Sequence, residues 1–101
     1  MPNKLLSVLL IAGLSACAGA PGGRLPDIRI MDTQVFPESL TSTRDGRVYI
    51  GSVKGNVYRA MPGSSRAEPW IRYSPENGIL TILGVLADER SNSLWLCSAP
   101  N

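Results

Sequence analysis

Few side chains in this 101-residue chain can do chemistry, and the missing types are as informative as those present. There is no His, so the commonest general base and the commonest transition-metal ligand are both absent. Any metal site would be built from oxygen ligands, which suits Ca²⁺ or Mg²⁺. Asp45 and Asp88 can be read as paired carboxylates for hydrolysis. Each also has a local reading, Asp45 in an Asp-Gly turn and Asp88 at the corner after an apolar run. Tyr49, Trp70, Tyr73 and Trp95 form either a sugar-stacking set or, at strand spacing, the packing between sheets; the second is the expectation. Cys97 ends an apolar run, where a lone Cys is expected as a small buried hydrophobe. The net charge is only +2 and the charges are interspersed, so the basic stripe of a nucleic-acid binder is missing.

The other thiol, Cys17, stands in a different context. Met1-Pro2-Asn3-Lys4 supplies positive charge, and Leu5 to Leu14 is an apolar run. The run is too short to span a bilayer, which takes about 20 apolar residues. A basic start, a short apolar core and small residues at its end make a secretory signal. Leu14-Ser15-Ala16-Cys17 resembles the bacterial lipobox. That resemblance implies a diacylglycerol on the Cys17 sulfur and cleavage that leaves Cys17 as the new N-terminus. Ala16-Cys17-Ala18 also fits ordinary signal-peptidase cleavage, which would give a soluble exported protein. Ala18 at the second mature position, in place of Asp, favours the outer membrane. The expected partner is the membrane, through the lipid anchor, and the expected location is the cell envelope.

The elements that must position these groups are announced by an internal repeat. Leu40 to Ser52 aligns without a gap on Leu86 to Ser98, an offset of 46 residues. Leu40, Arg44 and Ser52 recur as Leu86, Arg90 and Ser98, and Val48-Tyr49-Ile50 recurs as Leu94-Trp95-Leu96. A period of roughly 40–50 residues with several short strands per unit is the mark of β-propeller blades. Turn chemistry at Asp45-Gly46, Gly55-Asn56, Pro62-Gly63 and Ser91-Asn92 separates the strands. The reading is all-β: one antiparallel four-stranded meander with strands near 39–43, 47–52, 56–60 and 69–72, then a hairpin at 83–87 and 94–98. Pro69 predicts an edge position for the fourth strand, and 79–87 is expected to be buried on both faces as an innermost strand. Ten apolar residues there also suit a helix, against which Thr81, Gly84 and the β-branched Ile residues argue. The organisation expected is a lipoprotein signal helix over 1–16, a tether and lead-in over 17–36, and the first one and a half blades of a propeller over 37–101. The blade would cover 37–78 and the half blade 79–101, the front end of a larger protein.

Phe36-Pro37-Glu38-Ser39-Leu40, Asp45 to Ser52, Gly84 to Asp88 and Leu94 to Ser98 together resemble the opening of the six-bladed senescence-marker-protein/gluconolactonase-like family. NHL-type and strictosidine-synthase-like propellers open similarly. The gluconolactonase-like resemblance implies a divalent cation, often Ca²⁺, in the central channel, with Glu38 in the place of its first ligand. It implies hydrolysis of sugar lactones or related esters. One departure is visible: the family commonly carries Pro shortly after the Glu, whereas here Pro37 precedes Glu38. Ligands from later blades have no counterpart, so no cation is expected to bind this chain alone, and the chain alone is expected to be inactive. The competing expectation is a non-catalytic envelope lipoprotein that binds a ligand or a protein. A third is a truncated product with no independent function.

Overall fold

A computed structural model describes residues 26–100, and they hold strands and turns without a helix. The signal segment, Cys17 and the first part of the tether lie outside the described residues. Seven strands form in order: β1 (Arg29–Ile30), β2 (Pro37–Ser42), β3 (Val48–Ser52), β4 (Val57–Ala60), β5 (Arg66–Ile71), β6 (Thr81–Asp88) and β7 (Ser93–Ala99). β2 to β5 are the antiparallel meander, and β6 and β7 are a separate antiparallel hairpin. The curled sheet and the hairpin stacked on it have the form of a propeller blade followed by part of the next.

Local chemistry accounts for the meander. Thr43 and Arg47 close the first turn through the Thr43 N–H on the Arg47 carbonyl at 2.9 Å, with Gly46 at φ 96°. A positive φ of this size is one that glycine adopts without a Cβ penalty. The Asp45 carboxylate accepts the Arg47 N–H at 3.2 Å, holding the turn from within. The period-two alternation of β3 and β4 then sorts side chains onto two faces. Ile50 lies opposite Tyr58 and Val48 opposite Ala60 on one face, while Tyr49 lies opposite Arg59 on the other.

Both faces are covered. On the first, Ile50, Tyr58, Ala60 and Ala67 pack with Ile30 and Val35 of the lead-in. On the second, Tyr49 and Val57 pack with Ile82, and Val85, Leu94 and Leu96 close around them. The hairpin therefore stacks on the sheet as a neighbouring blade would. Gly51 is where the approach is tightest: a Cβ there would stand 2.6 Å from Ile82 Cγ2 and 2.9 Å from Val85 Cγ1.

Four features differ from the sequence expectations, each for a physical reason. The lead-in is not merely extended: β1 pairs in parallel with β5 at Arg29↔Arg66 and Ile30↔Ala67, giving a five-stranded mixed sheet ordered β1-β5-β4-β3-β2. β5 is consequently not an edge. Pro69 is accommodated because β1 reaches only as far as Ala67 and because the β4–β5 register shifts beside it, between Val57 and Tyr58. β6 is buried on one face only, with Ile82 and Val85 packed inward and Leu83 and Leu86 exposed. Cys97 is exposed rather than buried, because it points to the face of β7 away from the first sheet. The helical alternative for 79–89 is excluded by β6.

Candidate functional site

Glu38 sits near the start of β2, the edge strand of the five-stranded sheet, which runs beside β6 of the hairpin. Pro37 lies opposite Ser52 and Ser39 opposite Gly51, so Glu38 is the extra residue of a β-bulge and has no cross-strand partner. Bulges re-aim a side chain, and this one leaves the Glu38 carboxylate exposed to solvent. Among the described residues, no group of three or more His, Cys, Asp or Glu side chains is placed to hold a metal ion. Glu38 alone is a poor match for Ca²⁺, which takes six to eight oxygen ligands. The donors present in residues 26–100 therefore do not make the cation site that the gluconolactonase-like resemblance implies.

Asp45 and Asp88 are each engaged in their own turn. The Arg47 guanidinium holds Asp45 through Nε at 2.9 Å and Nη2 at 2.7 Å, and the Thr43 hydroxyl adds a further bond. These contacts, Arg47 first, hold the Asp45 carboxyl far below the ordinary carboxylate range. Asp88 accepts the Ser91 hydroxyl at 2.6 Å and the Arg90 N–H at 3.1 Å, which lowers its pKa in the same sense. Both carboxylates are thus firmly ionised turn caps.

The aromatic residues divide. Tyr49 is buried between sheet and hairpin at 7 % exposure, with its ring 5.2 Å from that of Trp70. Trp70 in turn carries the Arg59 guanidinium over its face at 5.0 Å. Trp95, the repeat equivalent of Tyr49, is 62 % exposed, and Tyr73 and Trp70 are also exposed. The expectation that all four form packing between sheets is corrected for Trp95 and Tyr73, while Trp70 packs its ring on Tyr49 and stays partly exposed. Tyr49 is covered by the next hairpin, and nothing among the described residues covers the same position one repeat later. Beside Tyr49, a cleft of about 380 Å³ opens between the sheet and the hairpin, lined by Arg59 and Trp70 of the sheet and by Asp88, Glu89 and Leu94 of the hairpin side.

One polar network went unassigned in the sequence. The buried Tyr58 donates its hydroxyl to Asp32 Oδ2 at 2.9 Å, and Asp32 Oδ1 accepts the Thr33 N–H at 2.8 Å. Arg72 approaches the same carboxylate at 3.6 Å. Asn56 joins by donating to the Tyr58 oxygen at 3.4 Å and accepting the Tyr73 N–H at 2.8 Å. Burial, and then the hydrogen bond to Asp32, push the Tyr58 phenol up, while Asp32 is held down by its backbone and phenol bonds. The only hint in the sequence is a Tyr in the middle of a strand, whose hydroxyl must find a partner once buried. The network fastens the lead-in across the first face of the sheet.

No curated protein and no solved structure matches the chain. A family model does: residues 20–60 match the region described as strictosidine synthase-like, N-terminal. The matched stretch runs from the tether through β1, β2 and β3 to the end of β4. Of the propeller families whose openings look alike, this is the one the match supports, and a specific tie to the gluconolactonase-like group is not shown. Over residues 20–60 the chain is similar to the N-terminal region of strictosidine-synthase-like propellers.

Proposed function

We propose that the chain is the N-terminal part of an exported propeller of the hydrolase kind, acting on sugar lactones or related esters, and that residues 26–100 supply the scaffold. The observation that carries this is the re-aimed carboxylate. Glu38 stands without a cross-strand partner on a bulge of the edge strand β2, within the stretch similar to strictosidine-synthase-like propellers. In this reading Glu38 is a single contributor to a site completed by other residues, and the chain alone turns over no lactone. The signal segment and Cys17 export the protein and anchor it at the envelope.

A graft tests the reading. Residues 26–100 replace the corresponding first strands of a lactone-hydrolysing six-bladed propeller, and hydrolysis is measured with and without Glu38→Gln. The expected result is a folded, active graft that loses most of its activity on E38Q. A folded graft as active with E38Q as without it overturns the role of Glu38. One observation favours the alternative of a non-catalytic envelope protein: the cleft pairs an aromatic face with the Arg59 cation, an arrangement suited to holding a ligand without transforming it. Ligand binding by the chain that is unchanged in E38Q and lost in Arg59→Ala would choose that reading.

A further inference from the structure

Residues 72–80 join the sheet to the hairpin, and the Asn77 side chain organises that link. Its Nδ2 donates to the Arg72 carbonyl at 2.8 Å. Its Oδ1 accepts two backbone N–H groups, that of Ile79 at 3.0 Å and that of Ser74 at 3.4 Å. The Ser74 hydroxyl accepts the Asn77 N–H at 3.3 Å in return. The carboxamide is thus held at both its nitrogen and its oxygen, with two donors polarising its carbonyl.

The residue that follows is Gly78, at φ 66°. A Cβ added there would meet nothing within 4 Å, and both Asn77 and Gly78 are exposed. The Gly78 N–H has no acceptor among the described residues. An amide nitrogen that follows an Asn can close on the Asn Cγ to form a five-membered imide. Glycine, lacking Cβ, offers the least hindered nitrogen and the freest backbone for that closure. The two N–H groups on Oδ1 stand where negative charge develops when the carbonyl is attacked, the arrangement that stabilises an oxyanion.

We propose that Asn77–Gly78 is a covalent modification site at which the folded chain deamidates itself. The Gly78 nitrogen gives up its proton and bonds to Asn77 Cγ. The Cγ–Nδ2 bond breaks, and ammonia leaves with that proton. Water is the co-reactant of the second step: it opens the imide at either carbonyl, leaving an aspartate or an isoaspartate at position 77. Either product has a carboxylate with no N–H to give the Arg72 carbonyl, and it places a second negative charge beside Glu76. The isoaspartate also carries the side-chain methylene into the main chain of the link. Asn56 supplies the contrast within the same fold. Its carboxamide too is bonded at both ends, to the Tyr58 oxygen and the Tyr73 N–H. The residue after it is Val57, β-branched and fully buried, so the attacking nitrogen is hindered and shielded from solvent base.

The test uses the full chain, folded, in mildly alkaline buffer, with a synthetic peptide of residues 72–81 alongside. Mass spectrometry of proteolytic peptides follows the replacement of NH₂ by OH at each Asn, and an isoaspartyl methyltransferase reports the rearranged product. The expected result is modification that accumulates at Asn77 and not at Asn56, rises with pH, and proceeds in the folded chain no more slowly than in the peptide. Gly78→Ala should slow it strongly, with the far-UV spectrum confirming that the variant keeps its strands; the same change in the peptide gives the effect without any demand on folding. Three results overturn the proposal. They are an Asn77 that reacts more slowly in the folded chain than in the peptide, equal modification at Asn56, or a rate undiminished by Gly78→Ala in both chain and peptide.

Discussion

Ser39 and Val85, one repeat apart in sequence, are joined by a hydrogen bond in which the Ser39 hydroxyl oxygen accepts the Val85 N–H at 2.7 Å. Thr41 and Ala87, also 46 residues apart, repeat the contact at 3.2 Å. The first strands of the two repeat copies, β2 and β6, thus meet at equivalent positions, side chain to backbone. Each bond satisfies an N–H that β7 does not reach. Val85 and Ala87 are half-buried, so Ser39→Ala and Thr41→Ala should each cost about 0.5–1.5 kcal/mol, the net worth of a typical hydrogen bond. Urea unfolding of the single and double variants measures this, and amide exchange at Val85 and Ala87 should accelerate specifically.

Gly51 is expected to resist enlargement. A Cβ would meet the branched side chains of Ile82 and Val85 below 3 Å, and β-branched groups have little rotamer freedom with which to yield. Gly51→Ala should destabilise by about 1–3 kcal/mol through overpacking. Combining it with Ile82→Val should recover part of the loss, which thermal unfolding of both variants would reveal.

The Asp32–Tyr58 lock should make stability fall in acid. The Thr33 N–H and the Tyr58 hydroxyl lower the folded-state pKa of Asp32 below its ordinary value of 3.8. The stabilisation is therefore fully present above the ordinary value and is lost as pH falls through the lower folded value. Asp32→Asn should flatten the acid limb of a Tm-versus-pH curve. Tyr58 is shifted upward, chiefly by burial, so its contribution is present below the ordinary phenol range and fades as pH rises through the folded value. Tyr58→Phe should remove that alkaline dependence, at the expense of an Asp32 bond.

Cys17 should govern location. If Leu14-Ser15-Ala16-Cys17 is processed as a lipobox, mass spectrometry of membrane fractions will find a diacylated Cys17, and Cys17→Ser will move the protein to the soluble fraction. A mature N-terminus beyond Cys17 in soluble material would replace the anchor with ordinary export.

What the sequence determined by itself is the repeating, local part of this protein. The turn residues fix where strands end, as at Asp45-Gly46, where a side-chain carboxylate and a glycine at φ 96° close the loop within five residues. The 46-residue offset anticipates that β6 and β7 copy β2 and β3, and β6 lies beside β2 in that register. Tertiary structure decided whatever depends on which face is covered and by what. Tyr49 and Trp95 have the same local context, yet one is buried and the other open, because burial is set by the next sheet in the stack. Gly51 and Cys97 part company for the same reason. The pairing of Arg29–Ile30 with Arg66–Ala67 joins segments far apart in the chain, and a two-residue strand leaves no periodicity to read. Asp32 and Tyr58, 26 residues apart, become partners only when the lead-in folds across the sheet and burial compels the phenol to find an acceptor.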